Sequence, residues 1–72
     1  MMTLKQLQCF ITVVKTGGFS HAADTLSLTQ PTVTKAISNL EDTLGVALFD
    51  KQLMSRKRDI ALTEIGALVY EH

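Results

Sequence analysis

Gly17-Gly18, Pro31, Gly45 and Gly66 are all the glycines and the single proline of this 72-residue chain, and their placement constrains the fold more than any other feature. Glycine supplies the positive φ that closes a helix, and proline is tolerated in a helix's first turn. The punctuation cuts the chain into three helical stretches, a short irregular segment and a fourth helix. Stretches this short are marginal alone and gain stability by packing on one another. One small domain follows, near the lower end of what folds independently.

Local signals agree with that division. Thr3-Leu4-Lys5-Gln6 fits a capping box, with Thr3 as N-cap and Gln6 reaching back. Leu4, Leu7, Phe10, Ile11 and Val14 then recur at helical spacing and predict one buried stripe, closed at Gly17. Ser20 is the expected N-cap of a short second helix running to Leu26, whose Ala22-Ala23 lets another helix approach closely. Ser27-Leu28 forms a tight connection. Thr29 caps a third helix with Gln30 and Pro31 in its first turn. Val33, Ala36, Ile37, Leu40 and Leu44 give it an apolar stripe, and Gly45 ends it.

Beyond Gly45 the period changes. Val46-Ala47-Leu48-Phe49 and Ile60-Ala61-Leu62 fit short strands, although runs of this length are not told from helix by periodicity alone. The polar, basic stretch from Asp50 to Asp59 is then the loop of a β-hairpin. Thr63 caps a last helix and Glu64 complements its positive end. Its pattern of Ile65, Leu68 and Val69 is still running at His72, as in a longer helix cut short.

Composition removes several classes of function. The lone Cys9 excludes an intrachain disulfide framework and a Cys-rich zinc site, and its expected role is structural. His21 and His72 have no partners at ligand spacing, so no metal is implied. No apolar run approaches the roughly 18 residues of a membrane span, and no apolar h-region follows Lys5. A Gly-rich phosphate loop, a Ser/His/Asp set and a paired-carboxylate pocket are all missing, so the chain reads as neither an enzyme nor a cofactor carrier.

The formal net charge of zero conceals segregation. Residues 41–50 carry Glu41, Asp42 and Asp50 and no base, whereas 51–58 carry Lys51, Arg56, Lys57 and Arg58 and no acid. A basic loop alone is most often a solvated one. On the third helix, Pro31, Lys35 and Ser38 fall opposite the apolar stripe, flanked by Thr34, Asn39 and Asp42. Gln30 projects from the N-terminal end, where free N–H groups favour phosphate. Gln can pair with adenine, Lys with guanine, and a Thr methyl can meet thymine, so this face suits a major groove. A polar helix facing only solvent is the plainer reading.

A short helix, a tight turn, a longer helix with a polar outer face and a hairpin beyond it make a winged helix-turn-helix, mainly α. Gln6-Leu7, Phe10, Gly18-Phe19-Ser20, Ala22-Ala23, Leu26, Thr29-Gln30-Pro31, Leu40-Glu41, Leu44-Gly45, Leu48-Phe49, Leu62-Thr63 and Gly66 resemble the N-terminal domain of LysR-type transcriptional regulators. The resemblance implies a winged helix-turn-helix DNA-binding domain over residues 1–62, with a three-helix core and a β-hairpin wing. Residues 63–72 would begin a linker helix that dimerises. It also implies double-stranded DNA as partner, at a partly palindromic operator bound by a homodimer or tetramer. A small-molecule effector would act through a C-terminal domain that this chain lacks. The expected setting is the bacterial cytoplasm, at the nucleoid, with no membrane partner.

Carried over by position, Ser20 would hold a phosphate. Gln30, Pro31, Thr32, Thr34 and Lys35 would lie in the major groove, with Gln30 and Lys35 the main base readers and Ser38 nearer the backbone. Lys51, Arg56, Lys57 and Arg58 would be wing contacts, in the minor groove or on phosphate. Three departures bear on this. Lys35 stands where many members have Arg, losing a bidentate fork. Thr29 replaces the more usual Ser. The stretch from Phe49 to Leu62 is about four residues longer than the usual wing, so its basic residues do not match one to one. Leu53 and Met54 within it could pack back on the domain or against DNA. The rival reading is a winged-helix module for protein contact or dimerisation without nucleic acid, which zero net charge favours slightly.

Overall fold

A computed structural model describes residues 3–57 and 59–71 of the chain, without the side chain of Lys57. Among the described residues the helices are α1 (Leu4–Thr16), α2 (Phe19–Leu26), α3 (Gln30–Leu44), α4 (Lys51–Lys57) and α5 (Glu64–Glu71). The first three pack pairwise and enclose the core, which continues into Leu48 and Phe49.

The capping box of α1 forms as its sequence demands. The Gln6 N–H donates to Thr3 Oγ1 at 3.1 Å, and the Thr3 N–H donates to Gln6 Oε1 at 3.1 Å. Gly17, at φ 81°, closes the helix with its N–H on the Val13 carbonyl. The buried face is rotated from the expected stripe, however. Cys9, Phe10 and Val13 are fully buried, Leu7 and Val14 half-buried, whereas Leu4 is 73% exposed and Ile11 lies at the surface. Because α1 packs against both α2 and α3, its buried residues are those between the two contact lines. Burial pushes the Cys9 thiol above its usual range, with Lys5 opposing weakly, which disfavours the reactive thiolate.

α2 begins two residues before the expected start. Its N-cap is Gly18, in extended backbone and with no side-chain cap bond, so Ser20 sits inside the first turn and is not the cap. Phe19 explains the shift. Its ring packs against Phe49 at a centroid distance of 5.5 Å, and starting the helix at Phe19 directs that ring inward. Ser27 ends α2 in the left-handed region at φ 57°. The Ser27 N–H reaches the Asp24 carbonyl at 3.2 Å and the Leu28 N–H the Ala23 carbonyl at 2.8 Å, the paired bonds that turn a chain sharply after a helix.

Thr29 caps α3 as expected, accepting from the Thr32 N–H at 3.3 Å, with Pro31 in the first turn. Gly45 ends the helix at φ 72°. Val33, Ile37 and Leu40 are buried and Ala36 half-buried, while Leu44 is 37% exposed. Glu41, next to Leu40, turns back to the chain beyond the helix. Its carboxylate accepts from the Leu48 N–H at 2.7 Å and the Phe49 N–H at 3.3 Å, satisfying two amides that bring Leu48 and Phe49 into the core. Bonds to a charged acceptor contribute more than neutral ones, so Glu41→Ala is expected to cost about 2 kcal/mol. In a domain of this size that lowers the melting temperature by roughly 10 °C. Circular-dichroism melts test it, and an unchanged midpoint would remove the clamp from the stabilising contacts.

The expected β-hairpin is corrected here. Phe49 and Leu62 form one isolated antiparallel bridge, supported by the Asp50 N–H on the Ala61 carbonyl at 2.9 Å and the Thr63 N–H on the Leu48 carbonyl at 3.0 Å. Between them the chain forms α4 in place of an irregular loop. Asp50 initiates it: Oδ1 accepts from the Leu53 N–H at 2.9 Å and its carbonyl from the Met54 N–H at 2.9 Å. Leu53 and Met54 are half-buried on its inner side, and Met54 packs against the core. An amphipathic turn thus accounts for the two apolar residues in this basic stretch. Arg58 lies outside the described residues.

Thr63 ties α5 to the same corner. Its hydroxyl donates to the Ala47 carbonyl at 2.7 Å and accepts from the Gly66 N–H at 2.9 Å. Gly66 is buried against the Leu48 backbone, which sets the rotation of α5. Val69 and Tyr70 therefore pack on the core, while Ile65 and Leu68, expected on the buried stripe, are 43% and 52% exposed. Among the described residues no helix is long and apolar enough to cross a membrane.

Candidate nucleic-acid interface

The surface of interest is built by the turn from α2 into α3. The left-handed Ser27 and the Thr29 cap swing α3 across α2, and the buried side chains of Val33, Ile37 and Leu40 turn its opposite face outward. Gln30, Pro31, Thr32, Thr34, Lys35, Ser38 and Asn39 are all exposed. From Gln30 to Asn39 this helix carries no acidic residue; beyond it Glu41 is drawn into the clamp and Asp42 lies in the C-terminal part. Ser20 is exposed in the first turn of α2.

One partnership on this face escapes the sequence. The Thr29 and Thr32 hydroxyls lie 2.7 Å apart, one donating to the other, so Thr32 is held along the start of the helix.

The second surface is the outer side of α4. Lys51, Gln52, Ser55 and Arg56 are exposed and border one open concavity of about 430 Å³. Lys51 and Arg56 are thus brought to one helical face. Gln52 and Ser55 join them, two polar residues that a loop reading had no reason to select. The signal that finds them is Asp50 followed by Leu53 and Met54, a cap with apolar residues three and four positions on. The Lys57 side chain and Arg58 lie outside the described residues. No group of three or more His, Cys, Asp or Glu among the described residues could hold a metal ion.

The likeness to known proteins runs through both surfaces. The family described as "Bacterial regulatory helix-turn-helix protein, lysR family" matches residues 4–67. The HTH-type transcriptional regulator CfxR of Cupriavidus necator is 41% identical over 71 residues, covering 99% of this chain and 21% of that protein. The HTH-type transcriptional activator TtdR of Escherichia coli K12 is 44% identical over 68 residues, covering 94% of this chain and 21% of that protein. The chain thus spans about a fifth of the length of both. Among solved structures, the DNA-binding domain of BenM in complex with catB site 1 DNA superimposes with a TM-score of 0.87 at 34% identity, over 97% of this chain and 73% of that one. The same domain on benA site 1 DNA gives 0.86 at 36% identity, over 97% and 74%. A match of this extent, on a fold whose helix-turn-helix and acid-free α3 face are in place, decides the family and its non-enzymatic character: the chain belongs to the LysR family of bacterial regulatory helix-turn-helix proteins.

Proposed function

We propose that this chain is the sequence-specific, double-stranded-DNA-binding part of a bacterial LysR-type transcriptional regulator, with α3 in the major groove. The observation that carries the reading is the exposed, acid-free face of α3 from Gln30 to Asn39, presented by a helix-turn-helix similar to one solved on DNA. Gln30 and Lys35 read base edges, and Pro31, Thr32 and Thr34 pack in the groove beside them. Ser20 and Ser38 bond phosphates at its rims. Lys51 and Arg56 on α4, with Lys57 and Arg58, contact the backbone or the minor groove and supply affinity through counterion release.

Residues 1–62 form the DNA-binding unit, and 63–72 begin a linker helix. The exposure of Ile65 and Leu68 on α5 supports that division, since a pairing helix keeps apolar side chains for its partner. The whole regulator would bind a partly palindromic operator as a homodimer or tetramer, sense a small-molecule effector through a further domain, and work in the cytoplasm on the bacterial chromosome.

A ¹⁵N–¹H titration with mixed-sequence duplex DNA at low salt tests the reading. Amides of residues 20, 29, 30, 32–38 and 51–56 are expected to shift together, and the shifts to fade as salt rises. No shift, or shifts confined to α5, would transfer the domain to protein contact or dimerisation without DNA. Two substitutions separate reading from anchoring. Lys35→Ala is expected to cost about 1–3 kcal/mol and relax preference at one base pair, while Arg56→Ala weakens all sequences alike and flattens the salt slope by about one unit. Competition across a randomised duplex pool measures both. An unaltered preference in Lys35→Ala would strip Lys35 of its reading role.

A further inference from the structure

We propose that the groove between the first turn of α1 and the flank of α3 seats a DNA phosphate strand, with Lys5 as its anchor. This rests on the DNA-binding reading above and extends it to an element outside the helix-turn-helix. The groove holds about 290 Å³ and is lined by Lys5 and Gln6 of α1 and by Thr32, Lys35, Ala36 and Asn39 of α3, beside the Thr3 cap. Among the described residues no carboxylate lines it.

Its hydrogen-bonding character is set by the capping box. Gln6 Oε1 is taken by the Thr3 N–H, so the Gln6 side chain offers the groove its N–H₂ donors. The Gln6 backbone N–H is taken by Thr3 Oγ1, so what Gln6 offers the groove comes from its side chain. Lys5 and Lys35 can only donate. With Lys35 engaged on the bases, Lys5 and the Gln6 amide, with no acid beside them, match a ligand that only accepts, and a phosphodiester is such a ligand.

Position selects a strand over a free anion. Lys35 belongs both to the groove and to the outer face of α3, so the two surfaces are continuous. A duplex holding α3 in its groove brings its own backbone along the flank of that helix. Lys5 contributes nothing evident to α1 itself. The first turn of α1 has no acid to pair with, and a cation there opposes the helix dipole. Its substitution therefore leaves the fold intact, or slightly firmer.

The experiment measures affinity of the 72-residue chain for mixed-sequence duplex between 50 and 200 mM NaCl, for wild type, Lys5→Gln and Lys5→Arg. Removing one phosphate contact flattens the log–log slope by about 0.9, so Lys5→Gln is expected to lose about 3.5-fold less affinity across that range than wild type. Lys5→Arg keeps the wild-type slope, and sequence preference is the same in all three. In the wild-type titration the Lys5 and Gln6 amides are expected to move with those of α3. A wild-type slope in Lys5→Gln, or static Lys5 and Gln6 amides while α3 responds, would overturn this seat and leave the α3 reading standing. Inorganic phosphate at matched ionic strength moving those amides as far as DNA does would also overturn it, in favour of a free-anion site. Failure of the wild-type chain to bind DNA would overturn both.

Discussion

Gly66→Ala is expected to destabilise this domain by about 3 kcal/mol, although alanine is the better helix former by about 1 kcal/mol at an interior helical position. The sign reverses because of what lies beside the glycine. A Cβ at Gly66 would fall inside contact distance of the Leu48 carbonyl oxygen and 2.9 Å from its carbonyl carbon. These are backbone atoms, and the Leu48 carbonyl already accepts from the Thr63 N–H. Relief requires α5 to lift from the core, taking Val69 and Tyr70 with it. Urea denaturation followed by circular dichroism measures the loss. A variant as stable as wild type would mean that α5 is seated elsewhere than on Leu48.

Phe10→Ala has the larger effect, about 4 kcal/mol. Phe10 is fully buried and meets Phe49 edge-on at 5.5 Å and Tyr70 at 6.4 Å. One ring thus joins α1 to the segment after α3 and to α5. Domains of this length have roughly 4–10 kcal/mol in total, so the variant is largely unfolded at the lower end of that range. Phe10→Leu retains most of the apolar volume and should cost about 1.5 kcal/mol. Thermal melts of the two variants against wild type check the ranking. Equal midpoints for Phe10→Ala and Phe10→Leu would show that retained apolar volume contributes nothing and that the whole loss lies in the ring contacts.

The same ring explains why the buried face of α1 differs from its apparent stripe. Leu4, Leu7, Phe10, Ile11 and Val14 and the set Cys9, Phe10 and Val13 share Phe10, and their centres differ by about a third of a turn. Periodicity locates an apolar face only to within such a rotation, since a surface helix carries a broad stripe. The positions of α2 and α3 then decide which edge of the stripe is covered. α5 repeats the case: Ile65, Leu68 and Val69 are equally apolar, and the seat of Gly66 on Leu48 turns only Val69 inward.

The interface divides in the same way. The outer face of α3 was legible in advance because it is the complement of a narrow apolar stripe, and a single helix contains both. Lys5 was not, because nothing within α1 says that its first turn lies beside Lys35. Gln52 and Ser55 were missed for a different reason. The basic run from Lys51 to Arg58 suggested a loop, and a loop has no faces, although the Asp50 cap and Leu53-Met54 were in view.

By itself, the sequence determined where helices begin and end at Thr3, Gly17, Thr29, Gly45 and Thr63, because each signal is a hydrogen bond or a backbone angle settled within one turn. It also determined the helix-turn-helix and the polar face of α3, since both follow from spacing along one stretch of chain. The tertiary structure alone decided the Gly18 start of α2, the rotation of α1 and α5, the Glu41 clamp on Leu48 and Phe49, and the meeting of Lys5 with Lys35. Each of these depends on which distant surface arrives to exclude water, and burial is a property of the pair and not of either partner.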